Sequence, residues 1–98
     1  MNLRQAFAVA IKSVRKMRHL TQEDFDVVSS RTYLSAIERG LKSPTLDKVH
    51  ELARVMEVHP ASLILLAYAV SNDDGEAVID AVVNESRGLI TSLRTTQP

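Results

Sequence analysis

The feature that most restricts this chain is its punctuation. Apolar residues recur at helical spacing in a series of short stretches, and each stretch is bounded by residues that start or stop helices. Leu3, Phe7, Ala10, Ile11 and Val14, with Arg and Lys between them, predict a first amphipathic helix running to about Arg18. Thr21 is followed by Gln22, Glu23 and Asp24, an N-cap with acids in the first turn, so a short second helix is expected there. Ser29 and Ser30 are cap-forming residues, and residues 31–39 form a third helix that stops at Gly40. Lys42, Ser43 and Pro44 make a turn, and Thr45 caps a fourth helix with Leu46, Val49, Leu52, Ala53 and Met56 on one face. Pro60 suits a first helical position, and Leu63, Ile64, Leu66, Ala67 and Val70 make the fifth helix apolar nearly all round, hence buried or paired. Asp73 with Glu76 offers a capping box before a long last helix to about Leu93, striped by Val78, Val82, Leu89, Ile90 and Leu93, while Thr95 to Pro98 are expected to fray. No alternating apolar run is flanked by hairpin chemistry, so the fold class is all-α: five helices with an additional long C-terminal helix.

Composition sets what such a fold can support. Ninety-eight residues make one small domain, and two Phe, two Tyr and no Trp leave its core to aliphatic side chains and Met. A core of this size favours a partner chain. The absence of cysteine excludes a disulfide scaffold, a thiolate metal site and a Cys nucleophile. No membrane partner is expected, because the longest apolar run, 63–70, falls far short of the roughly 20 residues a bilayer requires, and residues 1–10 lack a signal-peptide stretch. The expected location is cytoplasmic. His50 and Glu51 lack a second His at the zinc-protease spacing, where Arg54 stands instead, and His19 and His59 have no acidic ligand at suitable spacing. Ser62, Ser71 and Ser86 lack a nucleophile elbow. No metal, no cofactor and no enzyme chemistry are expected.

The net charge of zero conceals a division along the chain. Residues 1–44 carry eight Lys or Arg against four acids, a net of +4, and residues 45–98 carry four against eight, a net of −4. A basic front half can mark a polyanion-facing surface.

Two short helices joined by a tight turn inside that basic half can present one helix to a DNA major groove. With T-Q-E-D at 21–24, Y-L-S-A-I-E-R-G at 33–40 and S-P-T-L at 43–46, the chain resembles the Cro and phage-repressor type (XRE-like) helix-turn-helix family over residues 4–67. It departs from that pattern in the turn, where Asp26 replaces a small Ala and the usual Gly before Ser30 is missing. The resemblance implies that Gln22 holds a phosphate and braces the recognition helix. It also implies that Arg15 and Glu38 form a partly buried ion pair tying the first helix to the recognition helix.

At the N-terminal end of that helix Arg31 and Thr32 are the lead base readers, since Arg can donate a bidentate pair to guanine. Tyr33 is expected at a base edge or phosphate. The resemblance places the family's groove-facing position at Ala36, where it would meet a thymine methyl. Ser35, Arg39, Lys42 and Ser43 are expected at phosphates, which set register without reading sequence. Double-stranded DNA is thus the expected partner of a regulator, read as a repressor acting on a palindromic operator as a homodimer. Residues 1–70 form the DNA-binding domain and residues 71–98 the dimerisation element. The alternative is an antitoxin whose tail holds a toxin protein, with DNA binding serving autoregulation only.

Overall fold

The computed structural model of the chain describes residues 1–96. Five α-helices follow one another: α1 (Leu3–Met17), α2 (Arg31–Glu38), α3 (Leu46–Met56), α4 (Pro60–Val70) and α5 (Gly75–Thr96). A 3-10 turn, Gln22–Phe25, lies between α1 and α2, and no strand occurs among the described residues. Each helix starts where a side chain satisfies a free backbone donor. Ser30 Oγ accepts from Tyr33 N at 3.1 Å, Thr45 Oγ1 from Lys48 N at 3.1 Å, and His59 Nδ1 from Ala61 N at 3.0 Å ahead of Pro60. Asn2 and Gln5 form a reciprocal box on α1, with bonds of 2.8 and 3.0 Å. Gly40, in the left-handed region at φ +72°, ends α2 as expected.

Three expectations need correction. The second helix is a single 3-10 turn followed by an irregular turn to Ser29, because few residues separate Thr21 from Ser30, which must stay extended to cap α2. The cap of the last helix is Asp74, whose Oδ1 accepts from Ala77 N at 3.0 Å, in place of Asp73. The last helix runs on to Thr96, past the expected end near Leu93; Gln97 and Pro98, part of the stretch expected to fray, lie outside the described residues.

The core is built by α1, the 3-10 turn, α2, α3 and α4. Phe7 and Ile11, Phe25, Leu34 and Ile37, Leu52 and Met56, and Leu63 are its large members. Leu3 and Leu46, both assigned to apolar faces by spacing, are instead 50% and 77% exposed, because each sits at the first position of its helix, beyond the packed turns. α4 packs against α1, α3 and α5 and buries Leu63, Ala67 and Ala69, while Tyr68 and Val70 stay exposed. The chain reverses into α5 at Gly75, where a Cβ would lie 2.9 Å from the Ala69 carbonyl oxygen, so a side chain there would push α5 off α4. None of the residues of α5 is fully buried. Val78, Ile79 and Val83 are half-covered, whereas Val82, Leu89, Ile90 and Leu93 are exposed.

Phe25 is the one buried residue of the 3-10 turn and is completely enclosed. Phe25→Ala is therefore expected to cost about 3 to 5 kcal/mol, a large share of the roughly 5 to 15 kcal/mol that holds a domain of this kind folded. Urea unfolding followed by circular dichroism should show the midpoint fall accordingly; an unchanged midpoint would mean that the turn is not anchored by this ring.

Candidate nucleic-acid interface

The surface around α2 rests on a polar network beneath it. Arg15, near the end of α1, donates from Nε to Glu38 Oε2 at 2.6 Å and from Nη2 to Glu38 Oε1 at 2.8 Å. Its Nη1 donates to the Leu20 carbonyl at 2.9 Å, so one guanidinium ties together α1, the segment leaving it and the last turn of α2. Gln22 adds a third bond to the same carboxylate, Nε2 to Oε1 at 3.2 Å. The side chains of Arg15 and Glu38 are only 12% and 4% exposed. The hydrogen bonds to Glu38 raise the already high pKa of Arg15, with burial pulling the other way. This bidentate geometry is the strong form of a charge-assisted pair. Gln22 points into this network, which accounts for its bracing role; its amide nitrogen is engaged with protein in this state.

Above the network, α2 presents its N-terminal end. Arg31 and Thr32 are exposed, and Leu34 and Ile37 are buried beneath them. Arg31 does not stand free: its Nη2 donates to Glu23 Oε1, and its Nε lies 3.8 Å from Asp26 Oδ1. Tyr33 is half-buried, with the ammonium groups of Lys42 and Lys48 at 5.6 and 5.8 Å from its ring centre. Ser35 is half-buried, and Arg39, Lys42 and Ser43 are exposed. Ala36 is buried at 8% exposure, so its methyl is withdrawn from the surface where a thymine would be met. Ala36 belongs to the inward side of α2 with Leu34 and Ile37.

Lys48 is a residue of this region that sequence reasoning misses. Its Nζ donates to the Val28 carbonyl in the irregular turn and pairs with Glu51 at 2.8 Å, so α3 pins the turn that leads into α2. Only the Lys48 to Glu51 spacing is visible in the sequence; the carbonyl it reaches belongs to a turn whose path the sequence does not reveal.

The short segment, turn and exposed helix thus occupy one continuous stretch, and the sequence pattern that defines the helix-turn-helix proteins matches residues 11–63. The chain belongs to the helix-turn-helix family. It is 33% identical over 66 residues to the HTH-type transcriptional regulator y4dJ of Sinorhizobium fredii, covering 65% of this chain and 86% of that protein. It is 30% identical over 66 residues to the control protein C.BamHI of Bacillus amyloliquefaciens, covering 64% and 82% of the two chains. The crystal structure of ClgR, the clp gene regulator of Corynebacterium glutamicum, superposes with a TM-score of 0.65 at 19% identity, covering 99% of this chain and 98% of that one. That likeness concerns the fold and includes the long last helix.

In this helix-turn-helix domain the Arg15, Glu38 and Gln22 network fastens α2 from behind. Among the described residues no single helix is long and apolar enough to cross a membrane.

Glu38 and Glu23, each paired with an arginine, should behave differently on removal. Glu38→Ala leaves Arg15 enclosed without a counter-charge and is expected to cost about 3 to 5 kcal/mol. Glu23→Ala removes one side of an exposed pair and is expected to cost about 0 to 1 kcal/mol. Urea unfolding of the two variants checks this; equal losses would contradict the assignment of the Arg15 pair as the structural one.

Proposed function

We propose that this helix-turn-helix transcriptional regulator is a repressor that binds a palindromic operator as a homodimer in the cytoplasm. Its activity is sequence-specific binding, without a chemical step. One observation carries the proposal: α2 exposes Arg31 and Thr32 at its N-terminal end, while Leu34, Ile37 and Glu38 fasten the rest of the helix from behind. A recognition helix must be held rigidly in this way to deliver side chains to base edges at defined depth. Arg31 is the base reader, with Thr32 beside it and Tyr33 at the edge of the groove. Arg39, Lys42 and Ser43, past the end of α2, and Ser35 face phosphates. Residues 1–70 make up the DNA-binding part and residues 71–98 the dimerisation element, described as far as Thr96.

Support for the dimer comes from α5. Leu89, Ile90 and Leu93 are exposed on a helix that buries no residue completely, which leaves an apolar stripe for a second copy. Binding successive major grooves on one face requires the two recognition helices of the dimer to lie about 34 Å apart, one turn of duplex. The antitoxin alternative is set aside, since the similar proteins are named as transcriptional regulators and a control protein.

Arg31→Ala is expected to weaken the best operator by about 1 to 3 kcal/mol and to relax preference at one base pair per half-site. Lys42→Ala should weaken all sequences alike and make the slope of log affinity against log salt shallower by about 1 per subunit. Fluorescence anisotropy on specific and random duplexes separates the two; equal loss on both duplexes for Arg31→Ala would overturn its assignment as a reader. Replacing both Leu89 and Leu93 by Glu should give helical monomers in sedimentation equilibrium that bind a half-site as before and a full operator far more weakly. A dimer surviving both substitutions would move the interface elsewhere.

A further inference from the structure

The residue placed to read a base is already occupied. Arg31 stands at the first position of α2, and two carboxylates from the segment preceding that helix converge on it. Glu23 Oε1 accepts from Nη2, and Asp26 Oδ1 lies 3.8 Å from Nε. Both acids lie on one edge of the guanidinium, the edge formed by Nε and Nη2. Neither uses the Nη1 donors. The third acid of the segment, Asp24, is engaged otherwise: its Oδ2 accepts from Thr21 N at 2.7 Å and closes the 3-10 turn. Glu23 and Asp26 have no comparable backbone bond, and their side chains are 64% and 53% exposed.

Two exposed carboxylates on a surface that meets a polyanion repel it, and they cancel the charge of the arginine between them. Their effect on the two kinds of DNA contact differs. A phosphate competes for Arg31 as an anion, against two anions already in place, and is itself repelled by them. Guanine offers O6 and N7, two uncharged acceptors, which the end of the guanidinium formed by Nη1 and Nη2 can meet while Nε and the remaining Nη2 donor stay with the carboxylates. The arrangement also holds a long side chain at a defined angle, so less rotamer freedom is lost when the base is met.

We propose that Glu23 and Asp26 are specificity-determining residues that act through Arg31, leaving it available to a guanine edge and denying it to a passing phosphate. They are positioning residues and repulsive elements at once, the two devices by which a protein widens the gap between right and wrong partners. The proposal rests on the reading of Arg31 as a base reader.

The test measures binding to two duplexes of equal length and composition: the tightest one selected by the unmodified protein from a random pool, and a shuffled one. Glu23→Gln and Asp26→Asn are made singly and together, with Arg31 intact and with Arg31→Ala, and circular dichroism confirms folding. With Arg31 intact, the paired variant should bind the shuffled duplex about two- to fivefold more tightly per subunit, in keeping with an exposed ion pair. It should gain less on the selected duplex, so that the ratio of the two affinities falls, with preference relaxing at the base pair that Arg31→Ala affects. In the Arg31→Ala background the same acid substitutions should leave the ratio unchanged. Equal gains on both duplexes with Arg31 intact would mean a general charge effect and overturn the proposal, as would the same fall in ratio without Arg31. If Arg31→Ala alone weakens both duplexes equally, the reading of Arg31 fails and this proposal falls with it. If Arg31→Ala relaxes one base pair but the acid variants leave the ratio unchanged, only the proposal fails.

Discussion

The pair between Arg15 and Glu38 is the constraint on which the rest of this structure depends. Between α1 and α2 the chain has only one 3-10 turn and a short irregular stretch, too little hydrogen-bonded structure to orient the helix that follows. Orientation comes from outside the segment. Phe25 holds it from the core, Lys48 of α3 holds the Val28 carbonyl, and Arg15 grips the far end of α2 through Glu38 while also binding the Leu20 carbonyl. A buried ion pair contributes little net stability compared with an apolar replacement, because desolvation offsets much of the attraction. Its value in this fold is directional. Two parallel hydrogen bonds at 2.6 and 2.8 Å leave α2 little freedom to rotate about its axis, and it is that rotation that decides which side chains face outward.

The same rotation explains where sequence reasoning succeeds and where it stops. The caps Ser30 and Thr45, Pro60 at the first position of α4 and the stop at Gly40 are legible because their causes lie within a few residues. The union of Arg15 with Glu38 spans 23 residues and is legible only through family resemblance; its physical content lies in the two parallel bonds and the Leu20 carbonyl that Arg15 also holds. Ala36 shows the limit. Family resemblance assigns it to the groove, but it is buried on the inward side of α2 with Leu34 and Ile37. The convergence of Glu23 and Asp26 on Arg31 is equally hidden, since it depends on the path of a turn shorter than its family pattern. Leu3 and Leu46 fall outside the core for a related reason: periodicity reports a face, and the first residue of a helix projects past its neighbours.

The division of charge along the chain takes on spatial meaning in this fold. Excess cation in residues 1–44 lies on α1 with Arg18 and at Arg39 and Lys42 past α2, whereas the turn is acidic, α3 is balanced, and the excess acid of residues 45–98 lies at Glu57, Asp73 and Asp74 between helices and on α5. Within the basic half, however, charge is not simply displayed. Arg15 is consumed by structure and Arg31 is held by two acids, so the cations open to phosphate are those past the end of α2 and along the exposed side of α1.

If α2, presented twice by a symmetric dimer, reads base sequence, then selection of duplexes from a random pool by the unmodified chain must reveal it. The expected product is an inverted repeat whose half-site centres lie about 10 base pairs apart, with a guanine in each half at the position of Arg31. A pool that stays random after repeated rounds, or that yields only a single unrepeated element, would contradict this mode of recognition.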